Sequence, residues 1–379
     1  MLNPLQQRRQ FLSLAVYFIT YGVVVNSLLA RQPALQTRYA LDTGEWGWVL
    51  FLLGLGGVAA HPISRFLLAR WGSRRMCRRC GGLQALWMIV LVLAPTTWLF
   101  YISLFISGIL NNCVGAAINT QGALLESETG KRQMGFHHAV YYIGSFIAAA
   151  ASSLFAKFNV PLPIHFLIVG ILLWCVYLLV GSKLIQDTHL QQKKAARETP
   201  MKVILPVGLV AAFAAITEGA INGWSTLYMN RGLGSTESMA AMGLGIFSLA
   251  MMAGRFLGDY NAERLGVYKL IRFGTWLSAA ILTAVVLIHR DDVMLIGLVF
   301  IGLGHAASFP LIYSIAGRLG AGAIPAIMTF ASTGSLLGPL FFGRIATHFS
   351  LNVVMLTAAG CFFLMGLIAI FLRKHDQRL

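Results

Sequence analysis

One carboxyl group stands apart from the other acidic side chains of this chain. Glu218 lies about 15 residues into an apolar stretch that begins near residue 203, whereas most other Asp and Glu residues fall in loops or at the ends of such stretches. At a rise of about 1.5 Å per residue, this position is near the middle of a helix that crosses a bilayer. An ionisable group at that depth is costly and usually faces a cavity. Glu218 is therefore the leading candidate for proton coupling, and the alternative is a carboxyl group that ties its helix to a neighbour.

Polar neighbours extend this candidate site. Asn222 shares a helix face with Glu218 at i, i+4 and could hydrogen-bond a ligand there, whereas Trp224 lies well round the helix and supplies either an apolar platform or packing. His138, in another apolar stretch, is the second candidate for proton coupling because histidine titrates near physiological pH. His305 is a further histidine inside an apolar stretch. No group of side chains has the spacing of a metal site, and no cofactor is expected.

The composition of the chain excludes an ordinary soluble enzyme. Of its 379 residues, 57% are hydrophobic and 11% are charged, whereas soluble domains carry about 25% charged residues. A membrane-spanning helix needs roughly 20 apolar residues, and twelve such stretches can be assigned. They are 11–30, 46–69, 80–97, 98–124, 134–156, 162–184, 203–229, 238–260, 269–288, 293–316, 321–343 and 351–372. The sequence therefore predicts an all-α integral membrane protein with twelve spans.

Lys and Arg are concentrated on one side of this arrangement. If the N-terminus is cytoplasmic, most of the 29 basic residues fall on the cytoplasmic side, including the arginines between residues 65 and 79. This bias predicts that both termini are cytoplasmic. The net charge of +16 then faces anionic lipid, and no nucleic-acid partner is expected. Cys77 and Cys80 have the spacing CxxC, but we expect them in a basic cytoplasmic loop without metal or redox function.

A polar segment divides the chain into two halves. Residues 186–202 separate a predicted N-terminal six-helix bundle, 1–185, from a C-terminal one, 203–379, and form a predicted cytoplasmic linker. Sliding one half over the other aligns Arg70-Trp-Gly72 with Arg264-Leu-Gly266. Parallel repeats of six spans are typical of transporters with a site near the midplane of the membrane.

These features resemble the major facilitator superfamily of secondary transporters over essentially the whole chain. The loop pattern of that family is approximately G-x-x-x-D-R/K-x-G-R-R/K. This chain keeps Arg70-Trp-Gly72-Ser-Arg74-Arg75 but has Arg65 and Ala69 where the pattern has glycine and aspartate. The second half has Gly254-Arg255-Phe-Leu-Gly258-Asp259 followed by Glu263-Arg264. We interpret these charged residues as gating elements: Arg70, Arg74, Arg255, Asp259, Glu263 and Arg264, with Arg255 and Asp259 paired at i, i+4.

A narrower resemblance is to the bacterial fucose-permease-like branch and its uncharacterised inner-membrane relatives. The motifs that carry it are Arg31-x-Pro33, Asn119-Thr-Gln121-Gly122, His138 with Gly144, Glu218-Gly219 through Trp224, Gly254-Arg255-Phe256 and Phe309-Pro310. Fucose permease has functional carboxylates in its first and fourth spans and this chain has none there, so fucose is not the expected substrate.

The resemblance to the superfamily implies that spans one, four, seven and ten line a central cavity. Amide side chains on these spans are candidates for binding substrate, and aromatic side chains of spans five and ten could stack on it; helix packing is the alternative for both. The candidates are Asn26, Asn119, Gln121, Tyr141, Tyr142, Asn222, Trp224, Phe309 and Tyr313.

The predicted function is secondary active transport by alternating access in the bacterial inner membrane, by a protein that acts as a monomer. We expect symport of protons with a small polar organic solute such as a sugar or an organic acid. The alternative is a proton-driven antiporter that exports a drug or metabolite, although the exchanger motif typical of span five is missing. A channel or sensor is another alternative, and an enzyme is not expected because no reactive constellation lies within the spans.

Overall fold

In the computed structural model, every regular secondary-structure element of the described residues is a helix. The structure describes residues 4–131, 133–186, 200–319 and 323–373, except for the side chains of Pro4, Asp259 and Gly317. The helices are α1 (Pro4–Ala30), α2 (Gln32–Tyr39), α3 (Glu45–Leu93), α4 (Thr97–Thr129), α5 (Met134–Lys157), α6 (Leu162–Gly181), α7 (Met201–Leu227), α8 (Glu237–Leu265), α9 (Val267–Ile288), α10 (Asp291–His305), α11 (Ser308–Leu319), α12 (Ala323–His348) and α13 (Leu351–Ile368). A π-helical turn, Tyr228–Gly232, follows α7, and a short 3₁₀ helix, Ala369–Leu372, follows α13.

Eleven helical segments in the described residues are long and apolar enough to cross a bilayer. One of them, α3, has 49 residues, about 74 Å of helix, which is more than twice the roughly 30 Å thickness of the hydrocarbon core. It is interrupted at Gly72, where φ is 74° and ψ is 163°, a conformation available essentially only to glycine. α3 therefore supplies two crossings, and the predicted all-α architecture with twelve spans is confirmed.

The expected loop around Cys77 and Cys80 was wrong. Both cysteines lie in the part of α3 that follows Gly72, and their side chains are buried. Arg75, Arg78 and Arg79 are exposed in the same stretch. With 3.6 residues per turn, this stretch directs arginines outward and cysteines inward, and the high arginine content concealed the helical pattern.

The described chain forms two compact units. The first comprises Met1–Leu41 and Val49–Gln192. Within it, α1 and α5 pack closely, since a Cβ atom at Gly22 or Gly144 would overlap the backbone of the other helix. Most of the predicted linker, 187–199, lies outside the described residues.

The second unit comprises Asp42–Trp48 and Lys193–Leu379. Its apolar core surrounds α7 and includes Val207, Ala211, Ile312 and Ile327, all fully buried. A Cβ atom at Gly334 of α12 would overlap the backbone of α7 at Ala212, so these two helices also pack closely. The indole Nε1–H of buried Trp46 donates a hydrogen bond to the carbonyl oxygen of Gly223 at 3.0 Å.

Candidate functional site

The tenth predicted span is broken in the middle. α10 ends at His305, Ala306 and Ala307 form a turn, and α11 begins at Ser308. Ala306 keeps right-handed helical backbone angles, and its N–H donates to the carbonyl oxygen of Gly302 at 3.0 Å, so the break is confined to one turn. His305 is 1% exposed, and its ring lies edge-on to that of Phe362, with the centroids 5.4 Å apart. The break therefore presents a buried imidazole inside the second unit.

Glu218 faces this imidazole. Its Oε2 atom lies 3.7 Å from His305 Nε2 and 3.9 Å from Arg255 Nη2. The side chains of Glu218 and Arg255 are 19% and 14% exposed. Three helices, α7, α8 and α10, thus bring one acid and two basic groups together, and we call them the Glu218 cluster.

The two contacts of the Glu218 carboxyl group, at 3.7 and 3.9 Å, join it to basic side chains on two other helices. Both contacts are longer than a direct hydrogen bond. A small shift of either side chain would allow a direct hydrogen bond, and a bridging water could connect the groups at the present distance.

Other predicted residues of the second unit lie on the same elements. Asn222 is half-buried, one turn beyond Glu218 on α7. The stacked rings of Phe309 and Tyr313 on α11 have centroids 6.0 Å apart, and Tyr313 interacts electrostatically with Glu218 and Arg255. Trp224 is fully buried at the end of α7. The predicted candidates Phe309 and Tyr313 therefore share one face of α11, and Tyr313 is linked to the Glu218 cluster.

The partners of Glu218 were missed by sequence reasoning. The structure places the guanidinium of Arg255 beside Glu218 on another helix. The predicted pair of Arg255 with Asp259 stays a prediction, because the side chain of Asp259 lies outside the described residues. Spacing along a helix cannot reveal contacts between helices. The available signal was the depth of the residues, because His305 and Arg255 are also basic groups within apolar stretches.

In the first unit, the structure joins Asn26 to Tyr141. Asn26 Nδ2 donates to Tyr141 Oη at 3.2 Å, to Ser145 Oγ at 2.7 Å and to the carbonyl oxygen of Gly22 at 3.0 Å. The rings of Tyr141 and Tyr142 are perpendicular, with centroids 5.2 Å apart. These candidates therefore form one polar and aromatic group where α1 crosses α5.

Gln121 and Asn119 occupy different surroundings on α4. Gln121 is 1% exposed; its Nε2 donates to Ser73 Oγ at 2.7 Å and to Ile185 O at 2.8 Å, and its Oε1 accepts from Ile185 N at 2.9 Å. This geometry favours a structural role, in which Gln121 connects α4 to Ser73 of α3 and to the backbone that follows α6. Asn119 is exposed and donates to the carbonyl oxygen of Gly115 at 2.9 Å.

The remaining predicted residues are distributed over both units. His138 is half-buried, and its ring is edge-on to that of Phe18 with centroids 5.1 Å apart. Arg74 donates to the carbonyl oxygen of Ser182, at the end of α6. Three predicted gating residues, Arg70, Glu263 and Arg264, have exposed side chains. The guanidinium of Arg264 lies over the ring of Tyr260, 4.3 Å from its centroid.

The fold and these features define a membrane transporter, and comparison with known proteins identifies its family. The profile of the Major Facilitator Superfamily matches residues 10–319 and 207–379. The chain belongs to this superfamily, as the sequence analysis predicted, while the narrower resemblance to the fucose-permease-like branch stays a prediction.

Its similar proteins are transporters and membrane proteins. The uncharacterized transporter y4wD of Sinorhizobium fredii is 28% identical, with 94% of each chain covered. Membrane protein MosC of Rhizobium meliloti is 25% identical over 96% of this chain and 90% of its own. Among solved structures, a D-xylose-proton symporter shares the fold with a TM-score of 0.77 at 12% identity, covering 95% of this chain and 96% of its own. The nucleoside transporter NupG has a TM-score of 0.72 at 14% identity, covering 96% of this chain and 99% of its own.

Proposed function

We propose that this transporter carries a small polar organic solute together with protons across the bacterial inner membrane, and that Glu218 is the residue that takes up and releases the proton. The observation that carries the proposal is the Glu218 cluster, a partly buried carboxyl group 3.9 Å from a guanidinium and 3.7 Å from an imidazole. Such groups inside a membrane are expensive and are typical of proton pathways. The D-xylose-proton symporter with the same fold gives the proposal a precedent.

The proposed cycle follows from the charges in the cluster. While Glu218 is ionised, its carboxylate attracts Arg255 and holds α7 and α8 together through that contact. Protonation removes the negative charge and with it the attraction, so the contact is free to separate. His305 is close enough to exchange a proton with Glu218 after a small movement or through one water. The protonation state thus controls a contact between helices, which is the kind of element that alternating access requires.

The experiment that tests the proposal uses Glu218→Gln, which keeps the shape of the side chain and removes its titration. Wild-type and variant proteins are reconstituted in liposomes that contain a pH-sensitive dye, and D-xylose, uridine or gluconate is added outside. We expect the wild type to acidify the lumen with at least one of these solutes. The variant should lose this acidification while it keeps counterflow exchange of the same solute, because exchange needs binding and no net proton movement.

The matched control is Glu128→Gln, which makes the same chemical change at an exposed position on α4. It should acidify the lumen as the wild type does. Wild-type acidification by Glu218→Gln would reject the assignment of Glu218. Alkalinisation of the lumen on solute entry would instead support the antiporter alternative.

A further inference from the structure

The end of α7 and the π-helical turn after it carry fully buried polar side chains. Trp224, Ser225, Thr226 and Tyr228 are each 0% exposed. Among the described residues, Trp224 Nε1, Ser225 Oγ, Thr226 Oγ1 and Tyr228 Oη have no hydrogen-bond partner. An unpaired buried polar group costs free energy, so such a concentration within one short segment requires an explanation. π-helical turns are also frequent at functional sites.

The hydroxyl groups of Ser225 and Thr226 differ from those of other helical Ser and Thr residues in the second unit. A helical Ser or Thr can donate to the carbonyl oxygen four residues earlier. Hydroxyls that make this bond are those of Thr217, Ser248, Thr275, Ser278 and Thr283. Ser225 and Thr226 follow an unbroken stretch of α7 but do not make it. Their hydroxyls are therefore available to another partner.

Residues at the start of α3 that belong to the second unit pack next to this segment. Trp46 is fully buried and donates to the carbonyl oxygen of Gly223, next to Trp224. Gly47 packs so closely on α12 that an added Cβ atom would lie 2.7 Å from the Cα atom of Gly343. The start of α3 is therefore held against α7 and α12 beside the buried segment.

Two residues of this segment, Ser225 and Thr226, are aligned with the Glu218 cluster, whereas Trp224 and Tyr228 lie further round the helix. Ser225 follows Glu218 by seven residues, which places it two turns and about 10 Å along the same helix face. Asn222 lies between them on that face. A solute bound along α7 can therefore contact the carboxyl group at one end and the hydroxyl groups of Ser225 and Thr226 at the other.

We propose that Ser225 and Thr226, at the end of α7, bind an uncharged, hydroxyl-bearing part of the transported solute as specificity-determining residues. This inference rests on the proposed function and narrows its substrate class from sugars or organic acids to neutral polyhydroxylated compounds. The hydroxyl groups of Ser225 and Thr226 both donate and accept, and neither carries a charge that would pair with a carboxylate. A site built to hydrogen-bond a ligand hydroxyl discriminates strongly against a ligand that lacks this hydroxyl, because the buried polar groups of the site then stay unpaired.

The test compares Ser225→Ala and Thr226→Val with the matched controls Ser248→Ala and Thr275→Val, which alter buried hydroxyls that already have a backbone partner. Thermal unfolding is measured in lipid nanodiscs without solute. We expect Ser225→Ala and Thr226→Val to unfold at higher temperatures than their controls, because each removes an unpaired hydroxyl. Lower unfolding temperatures than the controls would overturn the proposal, since they would mean that these hydroxyls are bonded within the protein.

The second measurement repeats the unfolding with millimolar D-xylose, uridine, D-mannitol or gluconate. We expect at least one of the three neutral compounds to raise the unfolding temperature of the wild type and of both controls, with this rise at least halved in Ser225→Ala and Thr226→Val. No rise with any neutral compound, a rise with gluconate alone, or an undiminished rise in the two variants would overturn the proposal.

Binding in this assay needs no proton gradient, so Glu218→Gln should retain the rise with the neutral compound. Loss of the rise in Ser225→Ala with normal proton coupling by Glu218→Gln would leave this inference standing while the proposed function fails. An undiminished rise in Ser225→Ala together with loss of proton coupling in Glu218→Gln would reject the inference and support Glu218 as the proton-coupling residue.

Discussion

At the scale of single residues, the decisive feature is that one carboxyl group has two basic neighbours on different helices. Glu218 could be selected from the sequence because depth within an apolar stretch is a one-dimensional property. Its contacts with Arg255 and His305 could not, because they depend on how α7, α8 and α10 pack. The contacts of Gln121 could not be predicted for the same reason: this candidate for substrate binding has its amide hydrogen-bonded to Ser73 and Ile185.

His305 provides a second test at this scale. Replacing it by Gln keeps a polar side chain but removes the group that can relay a proton to Glu218. We expect His305→Gln to lower proton-driven uptake at least about tenfold, within the range of general acid–base contributions, while counterflow exchange changes much less. The measurement is the initial rate of each reaction in proteoliposomes.

The control for this variant is His348→Gln, at the exposed end of α12, which should leave both rates unchanged. Equal losses of uptake and exchange in His305→Gln would contradict a role in proton transfer and would point to a structural role.

At the scale of elements, the number of spans was predictable and their junctions were not. Each crossing needs about 20 apolar residues, so the hydropathy of the sequence counts them reliably. The junction between the second and third spans is a glycine within α3 rather than a loop, and the tenth span has a turn after His305. Both features are local changes at one or two residues, which average hydropathy does not record.

The conformation of Gly72 makes a prediction about α3. Its φ of 74° and ψ of 163° are disfavoured for any residue with a Cβ atom, and we expect Gly72→Ala to cost about 1–3 kcal/mol. Thermal unfolding in detergent should therefore begin at a lower temperature. Gly57→Ala in the same helix is the control, because its Cβ atom would have an ordinary contact of 3.9 Å with Gly108. An unchanged unfolding temperature for Gly72→Ala would show that the interruption of α3 does not require glycine.

At the scale of the whole molecule, the charge distribution makes a prediction about orientation. The net charge of +16 arises from 29 Lys and Arg against 13 Asp and Glu, and no acidic residue occurs between Glu45 and Glu126. That interval contains the six arginines from Arg65 to Arg79. Short basic segments are retained in the cytoplasm during insertion, so this part of α3 should lie on the cytoplasmic side. An even number of spans then places both termini on that side.

Reporter fusions test this orientation. Alkaline phosphatase is active only outside the cytoplasm, so we expect activity when it is inserted at Asn159, between α5 and α6, or at His289, between α9 and α10. We expect none at Gly130 or Gly266, which end α4 and α8. A fluorescent protein fused after the last residue should fluoresce, because it matures in the cytoplasm. The reverse pattern at all four insertion sites would overturn the orientation, and it would also reverse the side from which Glu218 is loaded in the proposed cycle.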